Sequence, residues 1–213
     1  MTSNIRTYSK NKQLVVSRRA KIARSAASLF LKRGYHNITV RELAEACNMG
    51  LGTLYYYIGS KENILQLVLE YSVGKFAEFY KDYVDRLANM SATDALSAAI
   101  DAYYRMIDEQ QDFLLFSYRE LSNLQGEARK LIIGTDIRIV ESFEKLLNTG
   151  CASGEFNIDD TKILAHNIVT LGEVWAVRRW YLKKFYTLDE YIRKETKSIL
   201  NEIVIKKCNS NSS

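Results

Sequence analysis

The 213 residues predict an all-α protein, and three observations carry that prediction. No proline occurs anywhere, so no helix is forced to stop by a missing amide donor. Runs of alternating β-branched residues are almost absent, which removes the period-two pattern of half-buried strands. Apolar residues recur instead at three- and four-residue intervals, the spacing that lays a stripe along one helix face.

The first stripe is Ile22, Ala26, Leu29 and Phe30, in a helix from about Val16 to Arg33 that Gly34 ends. Thr39-Val40-Arg41-Glu42 is a capping box with Ile38 and Leu43 as its hydrophobic staple, so a second helix begins at Val40. It must be short, because Asn48-Met49-Gly50 follows and Asn tolerates the left-handed conformation that closes a helix. A third short helix runs from about Leu51 to Tyr57 and is broken at Gly59-Ser60. Ser60 can cap a fourth, whose apolar spacing continues from Ile64 and Leu65 toward Leu87. Further helices are expected over Ala92 to Glu109, Phe113 to Leu124, Glu127 to Thr149, Asp160 to Lys184 and Leu188 to Lys206.

Charge divides the chain more sharply than hydropathy does. Residues 1–61 hold eleven Lys and Arg against only Glu42 and Glu45, whereas residues 62–213 hold nineteen against twenty-three acids. A basic block of this kind is the footprint of a polyanion-binding module, because each phosphate neutralised releases condensed counterions. The alternative is a solvated face or a flexible arm. Other classes find less support. Cys47, Cys151 and Cys208 are odd in number and lack C-x-x-C spacing, so neither a disulfide framework nor a zinc site is indicated. With His36 and His166 the only histidines and no Gly-rich phosphate loop, no catalytic residue, metal site or cofactor is expected. No signal-like or membrane-spanning apolar run is present, which points to a cytoplasmic protein without a membrane partner.

Two short helices joined by a tight turn and preceded by a basic helix form a tri-helical DNA reader whose last helix enters the major groove. Here the chain also resembles a known family. Residues Ile38 to Leu65, with the Gly52-Thr53-Leu54-Tyr55-Tyr56-Tyr57 core followed by Ser60-Lys61-Glu62, are similar to the DNA-binding signature of the TetR family. The resemblance implies that Thr39 contacts a phosphate, that Arg41 sits near the groove, and that Thr53 and Tyr55 face DNA. It implies further that Tyr56 or Tyr57 reaches the backbone and that Lys61 places a cation beside a phosphate. Residue chemistry agrees in part: Gly52 allows close backbone approach, and Thr53 offers a methyl to thymine or a hydroxyl to a base edge or phosphate. Leu54 should be core, and three successive tyrosines cannot all point inward from one helix. Gly50, Leu51, Asn48 and Ile58 depart from the family's usual pattern, and Gly50 forfeits a hydroxyl that could cap the recognition helix.

This reading divides the chain into a flexible basic arm (1–15), a helix-turn-helix domain (16–62), a larger helical ligand-binding and dimerisation domain (63–207) and a disordered polar tail (208–213). In the larger part the family resemblance implies an apolar ligand cavity and a homodimer formed by pairing the last two helices, with Gly172 suited to close helix approach there. Trp175 to Lys184, with Tyr118 to Leu121 before it, is similar to the C-terminal domain of members that respond to acyl-coenzyme A thioesters. Candidate ligand contacts are Tyr103, Phe116, Arg119, Phe143, Trp175, Arg178 and Arg179, the alternative being plain core for the aromatics and a solvated helix end for the cations. The functional expectation is a repressor that binds palindromic double-stranded operator DNA as a homodimer and is released by a small-molecule effector such as a fatty acyl-coenzyme A. Alternatives are an efflux-type regulator sensing a lipophile, and a helical interaction module without specific DNA binding.

Overall fold

A computed structural model of the chain describes residues 12–71, 74, 90–122 and 126–205. Every regular element among them is helical, as the periodicity predicts. They fall into two compact units, the first taking the described residues of Met1–Tyr80 and Gln110–Thr135, the second those of Lys81–Glu109 and Asp136–Ser213.

The first unit contains α1 (Lys12–Arg33), α2 (Val40–Ala46), α3 (Leu51–Ile58), α4 (residues 61–71), α6 (Gln111–Glu120) and the start of α7 (Gly126–Ala152). The apolar stripes meet in one core: Ile22, Phe30, Ile38, Leu43, Leu54, Ile58, Ile64 and Leu69 are all buried within it. α1 begins at Lys12, and Val15 is buried in the same core, so residues 12–15 of the expected arm are helix. The rest of the arm, the polar tail and the stretch of the fourth helix toward Leu87 lie outside the described residues. Asn48 has φ +51, and the amides of Asn48 and Met49 bond back to the carbonyls of Glu45 and Ala44 at 2.9 Å, the closure expected of a left-handed residue at a helix end. α6 packs on α1 through Phe116, whose ring lies 5.5 Å from that of Phe30. The described residues of 110–135, assigned from sequence to the larger domain, thus pack with the N-terminal helices.

The second unit contains α5 (Ala92–Glu109), the rest of α7, α8 (Thr161–Val177), α9 (Arg179–Leu182) and α10 (Leu188–Ile203). Its centre holds the fully buried Trp175, Tyr103 and Tyr104. Gly172 is the reason α5 and α8 pack closely. A Cβ there would lie 2.7 Å from Tyr104 Cδ1 and 2.9 Å from Tyr103 Cε1. The close approach that the sequence places at a subunit interface is therefore made inside the chain. The hydroxyls of Tyr104 and Tyr191 donate to the α8 carbonyls of Ile168 and Leu171 at 3.1 and 2.8 Å, and burial raises the pKa of both.

The helix expected over Asp160 to Lys184 is two helices. Arg178, at φ −110 and ψ 22, ends α8 and precedes the four-residue α9. No Gly or Pro marks this break. Tertiary contacts hold both sides of it instead: Trp175 Nε1 donates to Asp108 at 2.8 Å, and Arg179 pairs with the same carboxylate oxygen at 2.9 Å. Asp108 thereby buttresses both sides of the break.

Candidate nucleic-acid interface

The outward face of the first unit is set by how α3 rotates. Leu54, Tyr57 and Ile58 turn inward, leaving Leu51, Gly52, Thr53, Tyr55 and Tyr56 exposed. Tyr57 is 8% exposed against 43% for Tyr55 and 37% for Tyr56, so of the two tyrosines proposed to reach the backbone only Tyr56 is at the surface. The reason is helical period: residues 54, 57 and 58 fall on one side, and Leu54 commits that side to the core. Gly52 has no atom within 4 Å of where its Cβ would be, which leaves the start of α3 open to close approach.

The start of α2 is the expected capping box. Thr39 caps the helix by accepting the Glu42 amide at 3.3 Å, while its hydroxyl and its own amide donate to Glu42 Oε2 at 2.8 and 2.7 Å. Both donors of Thr39 are therefore committed, and a phosphate contact would have to displace Glu42. The Thr39 amide, the Thr39 hydroxyl and the Arg33 guanidinium 2.7 Å away push the Glu42 carboxyl down to about 2. Arg41, within this box, is exposed.

Lys61 is the first residue of α4, and its Nζ lies 4.7 Å from the centroid of the Tyr35 ring. That cation–π contact narrows the positions open to a long side chain without neutralising it. Two groups that the sequence reading counted only as charge, or did not single out, hold α3 from behind. Arg19 Nε donates to the carbonyl of Tyr57 at 3.1 Å, and Asn63 Nδ2 to that of Ile58 at 2.7 Å.

The expected ligand contacts are distributed over both compact units. Phe116 and Arg119 belong to the first unit, where Phe116 is buried against Phe30 and Arg119 donates to the Phe30 carbonyl. Tyr103, Phe143, Trp175, Arg178 and Arg179 belong to the second unit. There Tyr103 and Phe143 meet edge to face with centroids 5.6 Å apart, and Trp175 packs on Tyr191 at 5.2 Å, all four buried. Arg178 is exposed with its guanidinium 5.4 Å from the Tyr181 ring. Trp180, Tyr181, Phe185 and Tyr186 form an exposed aromatic run beside Lys183 and Lys184.

Residues 22–68 match the model of bacterial regulatory proteins of the tetR family, and residues 89–184 match that of the tetracyclin repressor-like C-terminal domain. The HTH-type transcriptional repressor KstR2 of Rhodococcus jostii (strain RHA1) is 31% identical over 176 residues, spanning 77% of this chain and 79% of that protein. The chain belongs to the TetR family. A second relative, the HTH-type transcriptional regulator HbdR of Aromatoleum sp. (strain CIB), is 27% identical over 85% of this chain and 79% of its own length. The fold matches a crystal structure of AibR in complex with isovaleryl coenzyme A and operator DNA, with TM-score 0.72 and 20% identity over 87% of this chain and 99% of that one. As a TetR-family member the protein is a DNA-binding transcriptional regulator and not an enzyme. Among the described residues no helix is long and apolar enough to cross a membrane.

Proposed function

We propose that this regulator is a homodimeric repressor that binds an inverted-repeat operator through α3 and leaves it when an acyl-coenzyme A thioester binds the second unit. The observation that carries the DNA half is the rotation of α3, which presents Thr53, Tyr55 and Tyr56 outward from a unit with a strongly basic sequence. Thr53 and Tyr55 read base edges, Tyr56 and Lys61 contact backbone phosphates, and Arg41 lies beside the groove. The curated relative KstR2 is named a repressor.

A dimer supplies the two recognition helices that an inverted repeat requires. On α8 the exposed or half-exposed residues Ile163, Asn167, Thr170, Val174 and Val177 recur at helical spacing, a stripe suited to meeting its own copy about a two-fold axis.

The effector assignment is supported by the AibR complex with isovaleryl coenzyme A. It also draws on Arg178, Lys183 and Lys184, exposed among aromatic rings that can stack on an adenine. Binding at one site releases DNA at another only if the ligand prefers the conformation that binds DNA poorly, so the coupling is reciprocal, about 1 to 3 kcal/mol. The engagement of Arg179 by Asp108 favours one second reading, a neutral lipophile that uses the aromatics without the cations. Footprinting followed by titration of the bound complex with free fatty acid, coenzyme A and the joined thioester separates the two. The thioester alone should release the operator. Equal release by the acid and the thioester, unchanged in Arg178→Ala, would establish the lipophile reading.

A further inference from the structure

The two ends of α3 are capped differently. Its N-cap, Gly50, has no side chain to bond the first-turn amides, so that end carries no side-chain cap. At the other end Gly59, at φ +74, turns the chain and leaves the last carbonyls without helical donors. Side chains from the flanking helices reach two of these: Arg19 of α1 bonds the Tyr57 carbonyl and Asn63 of α4 bonds the Ile58 carbonyl.

Arg19 lies next to Arg18 in the basic block, yet the two are placed differently. Arg18 is exposed, whereas Arg19 is half-buried and spans 38 residues of sequence to reach α3. A guanidinium at a helix C-terminus also meets the negative end of the helix dipole, which strengthens a charged donor there. Burial lowers the Arg19 pKa and the Glu70 carboxylate opposes that shift, but a guanidinium stays protonated throughout the physiological range.

We propose that Arg19 is a positioning residue of the DNA reader, fixing the C-terminal end of α3 against α1 and so setting the angle at which Thr53 and Tyr55 meet base edges. This rests on the reading of α3 as the recognition helix. A phosphate-contacting arginine acts on every duplex alike. A positioning arginine acts on discrimination, because phosphate contacts made elsewhere survive while the base-reading side chains lose their register.

The test uses the full chain, its footprinted operator and a scrambled duplex of equal length, with affinities measured across a salt series. Arg19→Gln should weaken the operator about tenfold, the size of one mismatched base pair, while the scrambled duplex changes by less than about twofold and the salt slope stays constant. Hydrogen exchange at the amides of residues 55–59 should accelerate in the same variant. Arg19→Lys keeps the charge but loses the directed Nε donor, and it should show the same faster exchange with an unchanged slope, which keeps the test decisive if the glutamine variant folds poorly. Equal weakening of both duplexes with the slope reduced by about one would make Arg19 a phosphate contact and overturn the proposal. So would unchanged discrimination together with unchanged exchange. A wild-type protein without preference for any duplex would overturn the reading of α3 itself, and this proposal with it, a result distinguishable from a failure confined to Arg19.

Discussion

Individual side chains in the reader separate into those that meet solvent and those that hold others in place. Lys61 belongs to the first group, its ammonium held over Tyr35 at the start of α4. Losing one phosphate contact removes about one released counterion, so Lys61→Ala should weaken every duplex similarly and make the salt slope shallower by about one. Tyr35→Phe should leave both quantities unchanged, because the cation lies over the ring face and not at the hydroxyl. Fluorescence anisotropy over a salt series measures both variants, and an unchanged slope in Lys61→Ala would remove Lys61 from the interface. Thr39 belongs to the second group, since Glu42 takes both of its donors and that arrangement starts α2 at Val40.

At the scale of elements, the contact between α5 and α8 depends on one missing side chain. Alanine is a better helix former than glycine by about 1 kcal/mol, so propensity alone favours Gly172→Ala. Packing opposes it. The new methyl would sit under 3 Å from the Tyr103 and Tyr104 rings, and Tyr104 is anchored through its hydroxyl to the Ile168 carbonyl. Overpacking of a tight core costs about 1 to 3 kcal/mol. Rings that are fixed cannot yield cheaply, so the packing cost should win and the variant should unfold at lower denaturant. A chemical-denaturation curve at or beyond the wild-type midpoint would show that α5 and α8 can separate freely. The break between α8 and α9 is also tertiary in origin, with Trp175 and Arg179 both drawn to Asp108.

At the scale of the whole molecule the proposed homodimer makes self-association the decisive property, since one reader would contact only half of an inverted repeat. Val177 is 46% exposed at the end of the α8 stripe. A charge there costs little in an isolated chain, but it would be buried unpaired at a two-fold interface. Val177→Asp should therefore shift sedimentation from dimer to monomer with its thermal unfolding of secondary structure retained. Operator affinity should fall by at least about tenfold, because the second half-site is no longer bound as a linked event. A variant that stays dimeric would move the interface away from α8.

Some of this was decided by sequence alone because the physics is local. A capping box needs only residues 39 to 42, Asn48 needs only its own tolerance of positive φ, and the inward turn of Leu54 needs only helical period. The family signature is likewise contiguous, which is why the reader was legible from Ile38 to Leu65. What the tertiary structure alone decided involves groups far apart in the chain. It sent Arg19 inward to α3 while Arg18 faces solvent. It set Gly172 against two tyrosines of the same chain and placed Phe116 and Arg119 in the first compact unit. It also brought Glu155 across 63 residues to accept the Ala92 amide at the start of α5. Hydrophobic period states that a residue is buried but not against what, and a charge in sequence does not state whether its partner is a phosphate, a carboxylate or a carbonyl. Those identities follow from packing, where unmet donors and acceptors are satisfied by whatever the fold brings within reach.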